Sequence, residues 1–447
     1  MKGQIMTHTY VMTGGTTPDG VQTDMAIAAD GTIAQLGQNL NTDGSEVIDA
    51  TGKIILPGLV DLHTHLREPG NDDAETVETG TRAAAKGGFT AVHAMANSNP
   101  VADTAGVVEQ VHRLGRASGW TDVYPVGAVT VGLKGEQLAE LSAMYDSAAN
   151  VTMFSDDGMC VWDPVLMRRA LEYVKSFDGF IAQHAQEPRL TEGAQMNESA
   201  LSSELGLAGW PAVAEESIIA RDVLLAQHVD SRVHICHVST AGSVELIRWA
   251  KSQGINVTAE VTPHHLLLTE DYVKTYDPVF KVNPPLRKDS DVRALREGLA
   301  DGTIDTVGTD HAPHTAETKQ CEWVVAAMGM TGLETALPVI QHTMVDTGLL
   351  DWHGVARVMS VNPARIYRHT DQGQLTDTGS LVSGALANLS VYDPNPTFVV
   401  NPADHASKSA NSPYQGMELS GQVTDVFYRG HRVVANAELT TPYQHSR

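Results

Sequence analysis

His63 and His65 stand one residue apart at the end of the apolar run Ile54-Ile55-Leu56-Pro57-Gly58-Leu59-Val60-Asp61-Leu62. Alternate residues of a β-strand point to the same side, so two imidazoles at this spacing can reach one metal ion from a single strand end. Arg67 follows on the next turn of chain and sets a fixed cation beside that ion. The chemistry implied is water activated by a metal next to a clamp for an anion, which is half of a hydrolase for carboxylated substrates.

Residues of the same kind recur at the ends of later apolar runs. Asp156-Asp157-Gly158 follows Phe154, His184 closes Ile181-Ala182-Gln183-His184, and His237 lies in Val233-His234-Ile235-Cys236-His237. Asp310 lies in Val307-Gly308-Thr309-Asp310-His311-Ala312-Pro313-His314. Four imidazoles and two carboxylates form a ligand set suited to zinc. Singly, each has a plainer reading: a lone buried histidine is usually a hydrogen-bonded core residue, and Asp-Asp-Gly is more often a turn. The joint pattern is what argues for a metal site. Alternation along the sixth strand sets His234 and Cys236 opposite to Ile235 and His237, so both are expected to lie against helices. His93 reads as a rim or core residue, and His264-His265 as polarising the end of strand seven.

Something must bring these distant residues together. Candidate strands end at His65, Met95, Thr130, Asp157, Gln186, Ser239, His264 and His314, and helical patterns follow them. In Asp163-Pro164-Val165-Leu166-Met167-Arg168-Arg169-Ala170-Leu171, Asp163 is suited to an N-cap and Pro164 to the first helical position. Gly87-Gly88 reads as a helix stop. Eight strand–helix units predict a parallel (β/α)₈ barrel, a TIM-like α/β fold whose strand C-termini build one active-site rim. A doubly wound open sheet is the alternative, but no G-x-G-x-x-G follows the first strand. The first fifty-odd residues show short runs broken by Asp19-Gly20, Asp30-Gly31 and Asp43-Gly44, a β-meander texture that returns near Ala387–Tyr392 and Val423–Tyr428. Neither end supplies enough strands alone. The expected organisation is therefore a composite β-domain, sandwich-like, from residues 1–57 plus 370–447, around a barrel of residues 58–369.

Composition narrows the partners. With 54 acidic against 30 basic residues the net charge is −24, which repels phosphate backbones and argues against nucleic acid. The three cysteines, Cys160, Cys236 and Cys321, fit neither a zinc ribbon nor a disulfide framework and read as reduced thiols. The start Met1-Lys2-Gly3-Gln4-Ile5-Met6-Thr7-His8 lacks the apolar stretch of a signal peptide, and no run is long enough to span a bilayer. A cytoplasmic protein acting on a small molecule, with no membrane partner, is expected.

The segments Pro57-Gly58-Leu59-Val60-Asp61-Leu62-His63-Thr64-His65-Leu66-Arg67-Glu68-Pro69-Gly70, Val257–His265, Asn283-Pro284-Pro285-Leu286-Arg287 and Asp310–His314 closely resemble dihydroorotase, in the longer bacterial type and particularly its actinobacterial form, within the amidohydrolase superfamily. The resemblance covers nearly the whole chain. It implies zinc-dependent, reversible cyclisation of N-carbamoyl-L-aspartate to L-dihydroorotate in pyrimidine biosynthesis, with one or two zinc ions per subunit and two preferred. By resemblance His63, His65 and Asp310 match the ligands of the first zinc, His184 and His237 those of the second, and Asp157 a carboxylate touching both. Many relatives bridge the metals with a carboxylated lysine; here the strand-four end offers only Asp157. Asp310 matches the catalytic proton carrier. His65, Arg67, Asn97, Asn283 and His314 match substrate-binding positions, and Met328 and Gly329 a stretch that meets substrate largely through backbone. Another cyclic amidohydrolase (dihydropyrimidinase, hydantoinase or allantoinase) is the nearest rival, but those substrates lack the ring carboxylate that Arg67 would hold. A non-catalytic scaffold for aspartate transcarbamoylase is a second rival, against which every metal-type residue is kept. The resemblance is compatible with a homodimer and with a complex between an active enzyme and aspartate transcarbamoylase.

Overall fold

The computed structural model describes residues 8–367, 370–371, 374–375 and 380–445. The outer ends of the expected terminal domain, and most of its junction at residues 370–379, therefore lie outside the described residues.

Five strands come first among the described residues: β1 (His8–Thr16), β2 (Gln22–Ala28), β3 (Ile33–Gly37), β4 (Glu46–Asp49) and β5 (Ile54–Pro57). The reversal between β2 and β3 uses Asp30-Gly31, where Gly31 sits at φ +85° and a Cβ would meet the Arg429 carbonyl oxygen at 2.4 Å. The barrel strands follow: β6 (Leu59–Thr64), β7 (Phe89–Ala94), β8 (Asp122–Pro125), β9 (Met153–Phe154) and β10 (Phe180–Gln183). A two-stranded ladder of β11 (Met196–Asn197) and β12 (Gly209–Trp210) interrupts them before β13 (Val233–Ile235), β14 (Val257–Val261) and β15 (Thr306–Val307). After a short pair, β16 (Thr370–Asp371) and β17 (Gln374–Leu375), come β18 (Leu389–Val399), β19 (Glu418–Tyr428), β20 (His431–Ala435) and β21 (Glu438–Leu439).

The two ends of the chain share one sheet, ordered β21-β20-β19-β18-β5-β1-β2-β3 with β4 beside β1. The seam is antiparallel pairing of β5 with β18, Ile54 opposite Tyr392 and Pro57 opposite Leu389. Met12, Met25, Ile27, Ile33, Ile48, Ile55, Leu389, Val391 and Phe427 form its buried core. Apolar residues from both ends are needed for that core, as the sparse strands at each end predicted.

One residue after β5, the chain enters the barrel. Its strands pair in parallel as β6-β7-β8 and β9-β10-β13-β14-β15. Bridges of Gly127 with Phe154 and of Thr64 with His311 join the two arcs. Period-two alternation sorts the side chains. Val60, Leu62, Ala91, Met153, Phe180, Ala182 and Cys236 share the inner cluster, while Leu59, Val92, Ile181, Val233, Ile235 and Val257 join the surrounding helices. Between these layers the helix Pro164–Lys175 starts as predicted, with the Asp163 carboxylate accepting from the N–H groups of Val165 and Leu166. The helix Val77–Lys86 stops at Gly87.

All eight expected strands exist, but regular pairing ends earlier than the hydrophobic pattern implied. β8 stops at Pro125 rather than Thr130, and β15 at Val307 rather than His314. Side chains take over the backbone donors there: Asp156 accepts from the N–H groups of Val129 and Thr130, and Asp61 from that of Thr309. Among the described residues no helix is long and apolar enough to cross a membrane.

Candidate active site

The six metal-type residues expected from the sequence meet at one rim. Asp157 lies at their centre. Its Oδ1 is 3.3 Å from His63 Nε2, 3.3 Å from His184 Nδ1 and 3.4 Å from His237 Nε2. Its Oδ2 is 3.5 Å from His65 Nε2. Asp310 Oδ1 approaches His65 Nε2 at 2.9 Å and His63 Nε2 at 3.5 Å. All six side chains are buried. Simple alternation does not deliver two of them: His237 has φ +31° and Asp310 φ +47°. At these points the backbone leaves the strand conformation and turns into the rim, a strained arrangement for residues with a Cβ.

Three of the four histidines have their outer nitrogen engaged by an acceptor. Glu260 accepts from His63 Nδ1 at 2.6 Å, the Asn97 Oδ1 from His65 Nδ1 at 2.9 Å, and the Gln186 Oε1 from His184 Nε2 at 2.7 Å. With the ring hydrogens placed there, the inner nitrogens present lone pairs to Asp157 and Asp310. Lone pairs and carboxylate oxygens facing one another at 3.3–3.5 Å repel unless a cation lies among them. Two of these inner atoms, His63 Nε2 and Asp157 Oδ1, are buried without a hydrogen bond. Two donor triads, His63–His65–Asp157 and Asp157–His184–His237, have ligand atoms within 4.8 Å of one another. The residues therefore fit a metal centre on their own geometry.

Above this floor opens a cavity of about 230 Å³, lined by His65, Arg67, Asn97, Asp157, His184, Asn283, Asp310, Ala312, His314, Met328 and Gly329. Every residue expected to touch substrate lines it. Arg67 donates through Nε to the Pro313 carbonyl at 3.0 Å and forms no ion pair among the described residues. His314 Nε2 donates to the Met328 carbonyl at 2.9 Å, so its 3.4 Å approach to Arg67 Nη2 is a contact between two donors. Burial, then the neighbouring Arg67, pushes His314 down to about 3, which keeps the ring neutral. Gly329 is at φ +145°, and a Cβ there would lie 2.7 Å from His314 Nε2. No other residue lets the backbone come so close. Asn283 Nδ2 donates to Gln186 Oε1 at 3.0 Å, whereas its Oδ1 is buried without a donor.

A profile of the Dihydro-orotase-like family matches residues 52–243. The chain is 67% identical over 416 residues to a dihydroorotase of Streptomyces coelicolor, covering 93% of this chain and 96% of that protein. It is 56% identical over 413 residues to a dihydroorotase of Mycobacterium tuberculosis, covering 92% and 95%. The chain belongs to the dihydroorotase family. Among solved structures, an L-hydantoinase (dihydropyrimidinase) from Arthrobacter aurescens superposes with TM-score 0.85 at 26% identity, covering 97% of this chain and 98% of that one. A dihydropyrimidinase from Brevibacillus agri gives 0.84 at 23% identity, with 97% of each chain covered, and shows the shared barrel fold.

One expectation from the sequence fails, and several further residues support the site. His234 and Cys236 do not lie against the helices. Both point into the barrel: His234 Nε2 is 3.2 Å from Glu260 Oε2, and Cys236 groups with His63 and Glu260. The expectation placed His237 on the inner face by alternation, but His237 reaches the site through its positive φ instead. Glu260 lay inside a recognised segment without a role, and only the fold puts it beneath His63. Gln186 ended a candidate strand; its amide oxygen joins His184 to Asn283. Asn411 was invisible, coming from the C-terminal part of the chain. Its side chain accepts from the His314 N–H and donates to the carbonyls of Ala312 and Gly329. His93 is a core residue, donating to the Asp61 carbonyl at 2.7 Å and stacking on Tyr124. His264 and His265 sit in the short helix Pro263–Leu267, beyond β14.

Proposed function

We propose that this dihydroorotase-family enzyme cyclises N-carbamoyl-L-aspartate reversibly to L-dihydroorotate in de novo pyrimidine biosynthesis, with zinc as its metal. One observation carries the choice of substrate: Arg67, a guanidinium with no ion pair among the described residues, lines the same cavity as the metal-type cluster. An unpaired, half-buried cation beside a metal floor calls for an anionic substrate. Kinship with dihydroorotases supports the same choice.

His63, His65 and Asp310 would hold the first zinc, His184 and His237 the second, and Asp157 would touch both; two ions per subunit is the preferred loading. When bound, the metal supplies Lewis acidity that favours ionised water and polarises a carbonyl. Asp310 carries the proton. In hydrolysis it takes a proton from the attacking water and passes it to the leaving ring nitrogen; in ring closure it removes the ureido proton and gives it to the departing oxygen. Arg67 holds the carboxylate outside the ring through two parallel hydrogen bonds, a geometry that lysine cannot reproduce. Asn97 and His314 complete that grip. The unfilled Asn283 Oδ1 accepts a ring N–H, and Met328 and Gly329 offer backbone groups, beside His65.

The same reading includes a domain division after residue 57 and at residue 370, supported by the change from the terminal sheet to the barrel between β5 and β6. It also includes a cytoplasmic setting, and it is compatible with a homodimer and with an assembly with aspartate transcarbamoylase. Light scattering with and without that partner checks the last two. The test of the activity is metal analysis of the purified protein beside turnover of dihydroorotate and dihydrouracil. Zinc with clear preference for dihydroorotate is expected; preference for dihydrouracil would replace this reading with a dihydropyrimidinase.

A further inference from the structure

Two lysines, Lys281 and Lys319, are nearly inaccessible, at 3% and 4% exposure, and neither forms an ion pair among the described residues. Burying an ammonium without a carboxylate is costly, so such groups persist only where several acceptors surround them. Here the acceptors are backbone carbonyls, three of them from residues 323–327 and the fourth that of Lys281 itself. Lys281 Nζ donates to the carbonyls of Trp323 and Val324 at 2.7 and 3.0 Å. Lys319 Nζ donates to those of Ala327 and Lys281 at 2.9 and 2.8 Å. The Lys281 carbonyl also accepts from the Gly329 N–H at 3.0 Å.

The consequence falls on the substrate pocket. Lys281 is two residues before Asn283, and the segment it holds ends in Met328 and Gly329. Three consecutive residues are thereby fixed: Ala327 by Lys319, Met328 by His314, and Gly329 by the Lys281 carbonyl. The same segment exposes Val324 and Val325, at 61% and 70%, so apolar burial does little to hold its outer turn. Hydrogen bonds from the two lysines to carbonyls hold it instead.

We propose that Lys281 and Lys319 are positioning residues for substrate: together they clamp the 320–329 segment onto the Asn283 segment, so that the pocket wall is formed before substrate arrives. The proposal rests on the functional reading above. Neither lysine touches the metal cluster or lines the cavity of the active site. Their removal therefore acts on binding rather than on the chemical step.

The test uses Lys319→Met, which keeps length and apolar shape, and Lys281→Met as an independent second variant. Each is expected to raise KM for dihydroorotate about tenfold, a loss of about 1.4 kcal/mol, with kcat within about threefold and metal content unchanged. Hydrogen exchange should accelerate in residues 320–329 and leave the barrel strands as they were. Because the two lysines serve one segment, the double variant should lose less than the product of the single effects. Unchanged KM, or unchanged exchange in that segment, in both single variants overturns the clamp. A wild type that does not turn over dihydroorotate instead defeats the functional reading, while the exchange measurement still judges the clamp.

Discussion

The floor and the wall of the candidate active site are held in different ways. On the floor, His63, His65 and His184 are oriented by side chains: Glu260, Asn97 and Gln186 each engage one outer ring nitrogen. In the wall, Arg67, His314, Met328 and Gly329 are fixed through backbone carbonyls and N–H groups, with Asn411, Lys281 and Lys319 supplying side chains from elsewhere. A metal needs its donors within tenths of an ångström, and strand ends locked by buried carboxylates provide that. A substrate must enter and leave, and loops pinned by a few polar bonds permit it. Loss of a floor residue should therefore abolish chemistry, whereas loss of a wall residue should weaken recognition and spare the metal.

The floor should give the largest effects. Asp310→Asn is expected to lose nearly all turnover while its fold persists, since the amide cannot accept and return the proton. Near-normal turnover with metal still bound would rule it out as the proton carrier. His63→Ala should lose metal as well as activity, and His237→Ala should lower metal content at the other position; elemental analysis of both reads this directly.

Arg67 is the sharpest probe of the wall. Truncating one partner of a buried arginine–carboxylate pair costs about 2–5 kcal/mol, roughly 30- to 5,000-fold in kcat/KM. Arg67→Ala should collapse activity on dihydroorotate by that order and change the feeble activity on dihydrouracil little. Arg67→Lys should recover part of it. Equal losses on both substrates would mean that Arg67 acts on the floor, and the contrast between the two regions would fall.

Smaller still is the expected effect of loosening one floor residue from behind. Glu260→Gln leaves His63 in place but weakens the bond that fixes its tautomer. A loss of about 10- to 100-fold in metal affinity is expected, read by competition with a chelator. Unchanged affinity would show that the barrel alone orients the ring.

The same division explains what the sequence made legible. His63 and His65 announce themselves because one candidate ligand pair lies on one strand, with a spacing that alternation turns into geometry. Eight apolar runs with helical patterns between them point to a barrel, and the barrel then gathers His184, His237 and Asp310 on its rim. The paired terminal strands were readable because neither end has a core of its own. The side chains behind the site were not, for a physical reason. Glu260, Asn411, Lys281 and Lys319 reach partners distant in sequence, Gln186 reaches Asn283 as well as its near neighbour His184, and nothing in local pattern separates them from solvated polar residues. His234 and Cys236 face inward, against the pattern expected from the sequence, because the backbone at His237 takes a positive φ and breaks the strand alternation there.

The smallest prediction concerns how the wall responds to pH. Burial, then the nearby charge of Lys281, pushes Lys319 down to about 7 from an ordinary 10.5, with Asp277 and Cys321 pulling weakly the other way. Below about pH 7 both folded and unfolded chains hold the proton, and the folded state bears the full cost of the buried charge. Between about 7 and 10.5 the unfolded chain holds a proton that the folded one has released, so this group makes stability rise with pH across that window. Methionine carries no such proton. The stability of Lys319→Met relative to wild type should therefore be most favourable near about pH 6 and decline steadily toward about pH 10, read from urea midpoints on both proteins. The strongly acidic surface weakens both chains alike at high pH and cancels in the difference. Loss of two carbonyl bonds shifts the whole curve without changing its slope, so the slope is the measurement that matters. A flat difference would mean that the buried ammonium keeps an ordinary affinity for its proton. The wall would then be stabilised by charge as firmly as the floor, and the contrast between the two would rest on the substrate effects of Arg67 alone.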